Sequence, residues 1–375
     1  MEGEIIYPNY SLDKEISNFI KVWVSVITSL SYCKFTSKIV PKGLLRFLTF
    51  IPIICLFLYL PLNLHSMHLG GMSCFFVAWL SNFKILLLAF DKGPLSDPTL
   101  SLPKFLAIAC FPIKKTEPKN PPPESITKPN PSPQITKKLG HKSVRNYALK
   151  GLLIAAFVQI YDYSERIHPK VILVIYCFHI YFMLELMLAA VATLARATLG
   201  LELEPQFNDP FLSTSLQDFW GKRWNLMVSR TLRPTVYDPT LSISTRIVGR
   251  KWAPLPAVFA TFVVSALMHE LIFYYLGRKR PTWEITWFFV LHGVCLVVEI
   301  VIKKLLKGRW QLPPVISTPL TVVIVMGTGF WLFFPQFLRF KADARAFEEY
   351  AILGAFVKDV VGGALRSRHF NGTAV

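Results

Sequence analysis

Eight predominantly apolar stretches punctuate this chain, at residues 19–37, 44–62, 69–90, 147–163, 170–195, 252–276, 284–302 and 314–338. Each is close to the ~20 residues with which one helix crosses ~30 Å of hydrocarbon. A backbone crossing lipid must satisfy its own hydrogen bonds, and helices do so within one segment. With 53% hydrophobic and 17% charged residues and a mean hydropathy of +0.42 over 375 residues, one soluble core cannot account for the apolar content. The fold class expected is all-α, a polytopic membrane bundle of about eight transmembrane helices forming a single domain over 1–375.

The charge is concentrated between these stretches. Glu2, Glu4, Asp13 and Glu15 precede the first, and Lys34, Lys38, Lys42 and Arg46 follow its core. The positive-inside rule therefore places the N-terminus in the lumen. Alternation then puts 91–146, 196–251 and 303–309 in the cytosol, and all three are basic; Arg278, Lys279 and Arg280 run against the scheme. The first stretch contains Lys21 and has no small-residue cleavage site, so it reads as an uncleaved anchor. A net charge of +18 spread over loops, with no interleaved basic and aromatic module, points to lipid headgroups or phosphates and not to nucleic acid. The six cysteines show no CxxC pairing and read as free thiols, with no zinc site.

Residues 102–112 are too short to span and suit a re-entrant or interfacial helix. The Pro- and Lys-rich insert at 113–146 is expected to be a disordered cytosolic linker. The other cytosolic segment, 200–251, is denser in chemistry. Ser215 is placed to N-cap a helix with Asp218 in its first turn, and the pattern predicts an amphipathic helix over 216–231, ended by Pro234. On that helix Trp220, Trp224 and Met227 share one face, while Asp218, Lys222, Asn225 and Ser229 share the other. Arg223, Arg230 and Arg233 would suit the phosphates of a bulky anionic substrate. The same pattern also fits an interfacial helix that only anchors to headgroups.

A single imidazole, His269, sits in the apolar run 253–275. Polar side chains at hydrocarbon depth commonly line a cavity or a reaction path, and histidine can accept a proton near neutral pH. His269 is therefore read as a catalytic base, against the alternative of a satisfied core histidine. His292 is the rival base. It shares a helical face with Glu299, and the favoured expectation is that the two bond each other across the bundle. Glu270 is expected to pair with another span, His179, Glu185 and Lys84 to be structural, and His65 and His68 to carry little signal.

The runs SLQDFWGKRWNLMVSRTLR (215–233) and SALMHELIFYYLGR (265–278), with FIKVWVSVITSLSYC and FFVAWLSNFKILLLAFDKGPL nearer the start, closely resemble the plant wax synthase branch of the membrane-bound O-acyltransferase family. One departure is Lys222–Arg223, where relatives often carry two arginines. The resemblance implies a helical bundle around an internal substrate tunnel, acyl-CoA as acyl donor, and His269 as the essential catalytic residue. It places Asn225 at the second motif position; in the same loop Trp220, Arg223, Trp224 and Arg230 are the candidate substrate-binding residues on their own chemistry. The expected reaction esterifies a long-chain fatty alcohol to a wax ester and releases CoA, with no bound cofactor and no metal, in the endoplasmic reticulum. A sterol or diacylglycerol acceptor is the alternative within the family. A lipid transporter or scaffold is the alternative outside it, although no internal repeat of the transporter kind is visible. The HELIF sequence at His269 lacks the second ligand of an HExxH zinc site, and GxSxG is absent.

Overall fold

The computed structural model describes residues 12–113, 144–200, 206–306 and 312–352, with 354, 355 and 358. The insert at 113–146 falls outside the described residues except at its two ends. Helices account for nearly all of the rest: α1 (Leu12–Ile39), α2 (Leu44–Asn63), α3 (Met67–Ala89), α4 (Leu102–Cys110), α5 (Val144–Tyr161), α6 (Pro169–Leu199), α7 (Leu226–Leu232), α8 (Asp238–Trp252), α9 (Pro254–Gly277), α10 (Glu284–Leu305), α11 (Pro314–Arg339) and α12 (residues 342–352).

Among the described residues seven helices are long and apolar enough to cross a membrane: α1, α2, α3, α6, α9, α10 and α11. The eighth expected span forms as α5, but it has only 18 residues and carries Arg145 and Lys150. Lys150 is held in a 2.6 Å ion pair with Glu185 of α6, so α5 leans on a neighbouring span at mid-length, and both charges are accounted for as structural.

α3 is the central helix. In its most apolar window 78% of residues are buried, against 17–39% in the other six spans. Those six turn apolar stripes outward, for example Ile20, Val24, Ile27 and Phe35 on α1 and Val294, Val298 and Ile302 on α10. Such stripes at helical spacing are what a lipid-facing surface requires. The basic residues within α3 and α2 are consumed internally. Lys84 donates to the carbonyls of Ile108 and Phe111 at the end of α4, where the last turn of a short buried helix has no partners of its own. Arg46 donates to the carbonyls of Val40 and Leu88 at 2.9 and 3.1 Å.

Helix ends follow local chemistry. Ser66 caps α3 by accepting from the Leu69 amide. Pro169 opens α6, and Gly200, at φ 62°, closes it. The expected helix over 216–231 is not continuous. Ser215 does cap its first turn, accepting from Asp218 N at 3.1 Å. The chain then widens into a π-helical turn over Phe219–Arg223 and leaves helical geometry at Trp224 (φ −97°, ψ 124°) and Asn225 (φ 41°, ψ 65°). Asparagine tolerates the left-handed region that most side chains avoid, which periodicity alone does not register. Pro234 does not end the helix either. It lies in a π turn, Arg233–Tyr237, where a missing amide costs little, and the chain runs on through α8 to Trp252.

Candidate active site

Two cavities meet at His269. The larger, about 450 Å³, is an apolar chamber walled by side chains such as Phe75, Met183, Leu188, Phe211, Phe288 and Phe333. Along α6 its lining runs from Tyr176 to Val191, a length of ~22 Å at 1.5 Å per residue. The smaller, about 390 Å³, is more polar and is lined by Gln217, Ser229, Arg233, Tyr237, Thr261 and Ser265 among others. Trp220, Trp224, Asn225, His269 and Phe289 line both, and so form the partition between an apolar slot and a polar vestibule. Four segments with π-helical geometry, Cys74–Ser81, Phe219–Arg223, Arg233–Tyr237 and Gly329–Phe333, each contribute lining residues, in keeping with the frequency of π bulges at functional sites.

Within that partition His269 is oriented by its own helix. Its Nδ1 lies 2.7 Å from the carbonyl oxygen of Ser265, one turn earlier. A carbonyl can only accept, so Nδ1 carries the proton and Nε2 keeps a lone pair. Nε2 has no hydrogen-bond partner among the described residues. The ring stacks on Phe289 with centroids 4.1 Å apart, which fixes the second degree of freedom of the imidazole.

Asn225 reaches the same wall because the chain breaks there. The first amides of α7 are satisfied by Gln206, whose carbonyl accepts from Leu226 N and whose Oε1 accepts from Met227 N, each at 2.9 Å. This clamp holds the left-handed turn without using the Asn225 side chain, whose Oδ1 is buried and has no partner among the described residues. A buried amide atom left unpaired is costly unless a ligand completes it. Trp224 stacks on Phe219 at 5.5 Å, and Trp220 packs edge-on against Phe262 and 5.4 Å from His292. The two tryptophans and Met227 therefore do not share a face; the break turns Met227 into a separate cluster with Trp79 and Leu80.

The basic residues of the loop are placed differently from one another. Arg223 is taken up in the loop itself, donating to Asp218 Oδ2 at 2.7 Å and to the carbonyls of Asn208 and Asp209. Neither Arg223 nor Arg230 lines either cavity. Arg233 does line the vestibule. Glu270 pairs with another span as expected, accepting from Thr286 N at 3.1 Å and Thr286 Oγ1 at 3.0 Å in the first turn of α10. His292 and Glu299 stand two turns apart and do not bond each other. His292 Nε2 meets Thr328 Oγ1 at 2.9 Å, while Glu299 accepts from Leu216 N at 2.9 Å and Gln217 N at 3.3 Å, tying the motif loop to α10. His179 lies between the hydroxyls of Tyr161 and Tyr350.

Sequence reasoning missed the polar end of the chamber. His68, expected to carry little signal, is in the first turn of α3 and lines the chamber with Tyr161, Tyr176, His179, Asp343 and Tyr350. No local motif marks these residues, since they come from α3, α5, α6 and α12. Among the described residues no group of three or more His, Cys, Asp or Glu side chains could hold a metal ion.

A helical membrane protein with an unpaired imidazole nitrogen between an apolar slot and a polar vestibule is built for chemistry on a lipid. A model of the membrane bound O-acyl transferase family matches residues 203–291, the segment that supplies the partition. The chain is 47% identical to acyl-CoA–sterol O-acyltransferase 1 of Arabidopsis thaliana, over 92% of this chain and 97% of that protein. It is 44% identical to the long-chain-alcohol O-fatty-acyltransferase of Simmondsia chinensis, over 94% and 99%, and 42% identical to probable long-chain-alcohol O-fatty-acyltransferase 3 of Arabidopsis thaliana, over 86% and 91%. The chain belongs to the membrane-bound O-acyltransferase family.

Proposed function

We propose that this protein transfers a fatty acyl group from acyl-CoA to the hydroxyl of a long-chain alcohol, forming a wax ester and free CoA in the endoplasmic reticulum membrane. The observation that carries the reading is the position of His269 and Asn225 on the wall shared by both cavities. The apolar chamber suits a lipid chain. The vestibule, with Arg233, Gln217 and Ser229, suits the polar part of acyl-CoA.

In the reaction His269 Nε2 takes the proton of the acceptor hydroxyl as its oxygen attacks the thioester carbonyl carbon. The C–O bond forms, negative charge gathers on the carbonyl oxygen, and an Nδ2–H of Asn225, the donor end of its amide, stabilises it. The C–S bond then breaks, and the imidazolium returns its proton to the departing sulfur. The Ser265 carbonyl favours the imidazolium through the Nδ1–H bond that it already accepts. No step requires water, and an apolar chamber limits hydrolysis of the thioester.

The test is ester formation in microsomes from ester-deficient yeast expressing the chain, supplied with labelled acyl-CoA and hexadecanol. Absence of labelled ester with membrane-inserted protein present would sink the proposal. A sterol acceptor is the second reading, favoured by the 47% identical relative named for sterol acylation. Adding sterol and hexadecanol together to the same microsomes decides between them by which ester accumulates.

A further inference from the structure

The apolar chamber ends in a hydrogen-bonded relay that the acyl transfer does not use. Glu349 of α12 accepts from His68 Nδ1 at 2.7 Å; His68 Nε2 lies 3.1 Å from Tyr350 Oη; Tyr350 Oη lies 3.2 Å from His179 Nε2; and His179 Nδ1 lies 3.2 Å from Tyr161 Oη. Glu349 also accepts from Ser66 Oγ and from the amides of Met67 and His68. Burial opposes its charge, but these donors outweigh that penalty and hold its carboxyl below the usual range.

An ionised Glu349 together with a neutral His68 fixes the direction of every bond. His68 Nδ1 must donate, so neutral His68 accepts from Tyr350 at Nε2. Tyr350 then accepts from His179 Nε2–H, and His179 Nδ1 accepts from Tyr161. Tyr161 thus gives its proton to His179 and leaves only oxygen lone pairs for the chamber. Beside it, 5.1 Å between ring centroids, Tyr176 spends its own proton on Asp343 Oδ2 at 2.9 Å. If His68 is protonated the relay reverses, and Tyr161 presents a donor. A hydroxyl pairs with Tyr161 in either state. A methyl end pairs in neither, and a carboxylate meets the acidic side chain of Asp343 on the chamber wall and the ionised Glu349 behind His68.

This end lies beyond His269 along α9. Leu276, two turns or ~10 Å from His269, borders the chamber, and Gly71 of α3, one turn from His68, faces it so closely that a Cβ there would lie 3.5 Å from Leu276 Cδ2. We propose that Tyr161 is a hydroxyl-recognition residue and that this enzyme takes a lipid chain bearing a second hydroxyl remote from its reacting end. The inference rests on the acyl-transfer reading given above. The second hydroxyl could belong to the acceptor, as in an α,ω-alkanediol, or to the acyl donor, as in an ω-hydroxyacyl-CoA.

The experiment compares the full-length protein with Tyr161→Phe in the same yeast microsomes. One arm measures kcat/KM for α,ω-alkanediols against 1-alkanols across a series of lengths with plain acyl-CoA. The other measures ω-hydroxyacyl-CoA against acyl-CoA with a 1-alkanol acceptor. One buried hydrogen bond corresponds to about a tenfold preference for the hydroxylated chain, peaking at the length that bridges His269 and Tyr161. Tyr161→Phe is expected to abolish the peak, and because each preference is a ratio within one membrane preparation, loss of folded protein cancels. A peak in the first arm puts the acceptor in the chamber, and a peak in the second puts the acyl chain there. No peak in either arm, or a peak that Tyr161→Phe leaves intact, overturns the recognition role while 1-alkanol esters still form. Failure to form any ester overturns the acyl-transfer reading as well.

Discussion

His269 Nδ1 donates to the backbone carbonyl of Ser265 at 2.7 Å, and the Ser265 hydroxyl, at 3.4 Å, is the more distant of the two oxygens. The tautomer that leaves Nε2 basic is thus set by backbone, which a side-chain substitution at 265 does not remove. Ser265→Ala is expected to lower ester formation by no more than about threefold, whereas His269→Ala should lower it by about 10²–10⁴-fold, the usual worth of a general base. Rates per amount of membrane-inserted protein check both. A large loss in Ser265→Ala would transfer the orienting role to the hydroxyl.

Asn225 combines a backbone requirement with a side-chain one, and two substitutions separate them. Glycine accepts φ 41° freely, while alanine there costs about 1 kcal/mol or more. Asn225→Gly should therefore fold as well as the parent and still lose about 10²–10³-fold in kcat, as when one oxyanion donor is removed. Asn225→Ala should lose activity and also melt earlier in detergent. Full activity in Asn225→Gly would mean that the amide takes no part in the reaction.

The membrane class and seven of the eight expected spans were legible in the sequence because length and apolar content are local properties, and His269 stood out as a candidate because a lone imidazole in an apolar run is local too. The break at Trp224–Asn225 was not. A helical wheel assumes continuity, and an asparagine in the left-handed region, held by Gln206 from outside the wheel, leaves no periodic trace. Ser215 was recognisable as a cap because capping is also local. The roles of Arg223 and Glu299 depended on partners elsewhere in the chain: Asp209 and Asn208 for the first, Leu216 for the second. His68 and His179 illustrate the same limit, since the relay joining them runs through Tyr350 of the twelfth helix.

The approach of α10 to α9 depends on a missing side chain. A Cβ at Gly293 would sit 2.8 Å from Phe262 Cβ and 3.4 Å from Phe259, and Phe289, which stacks on His269, is one turn away on the same helix. Gly293→Ala should destabilise the protein by about 1–3 kcal/mol through overpacking and reduce turnover by displacing Phe289. Thermal unfolding in detergent and microsomal activity measure the two effects. Unchanged values for both would show that the helices can part without consequence.

Glu349 joins α12 to the start of α3, and its carboxyl is held below the ordinary range by the donors around it. A depressed folded pKa means that its contribution to stability is complete above the unfolded value, about 4.3, and is lost as pH falls through the lower folded value. Between pH 5 and 8 the attachment should therefore be insensitive to acid on account of this group. Glu349→Gln should cost about 2–3 kcal/mol in that window, since it weakens charge-assisted bonds to Ser66 and to the amides of Met67 and His68. The gap between parent and variant should narrow only below about pH 4. Differential thermal stability in detergent across pH 3–8 checks the sign: a gap that widens as pH falls would mean that the carboxyl is protonated in the native state and that the relay from Glu349 to Tyr161 runs without a charge at its end.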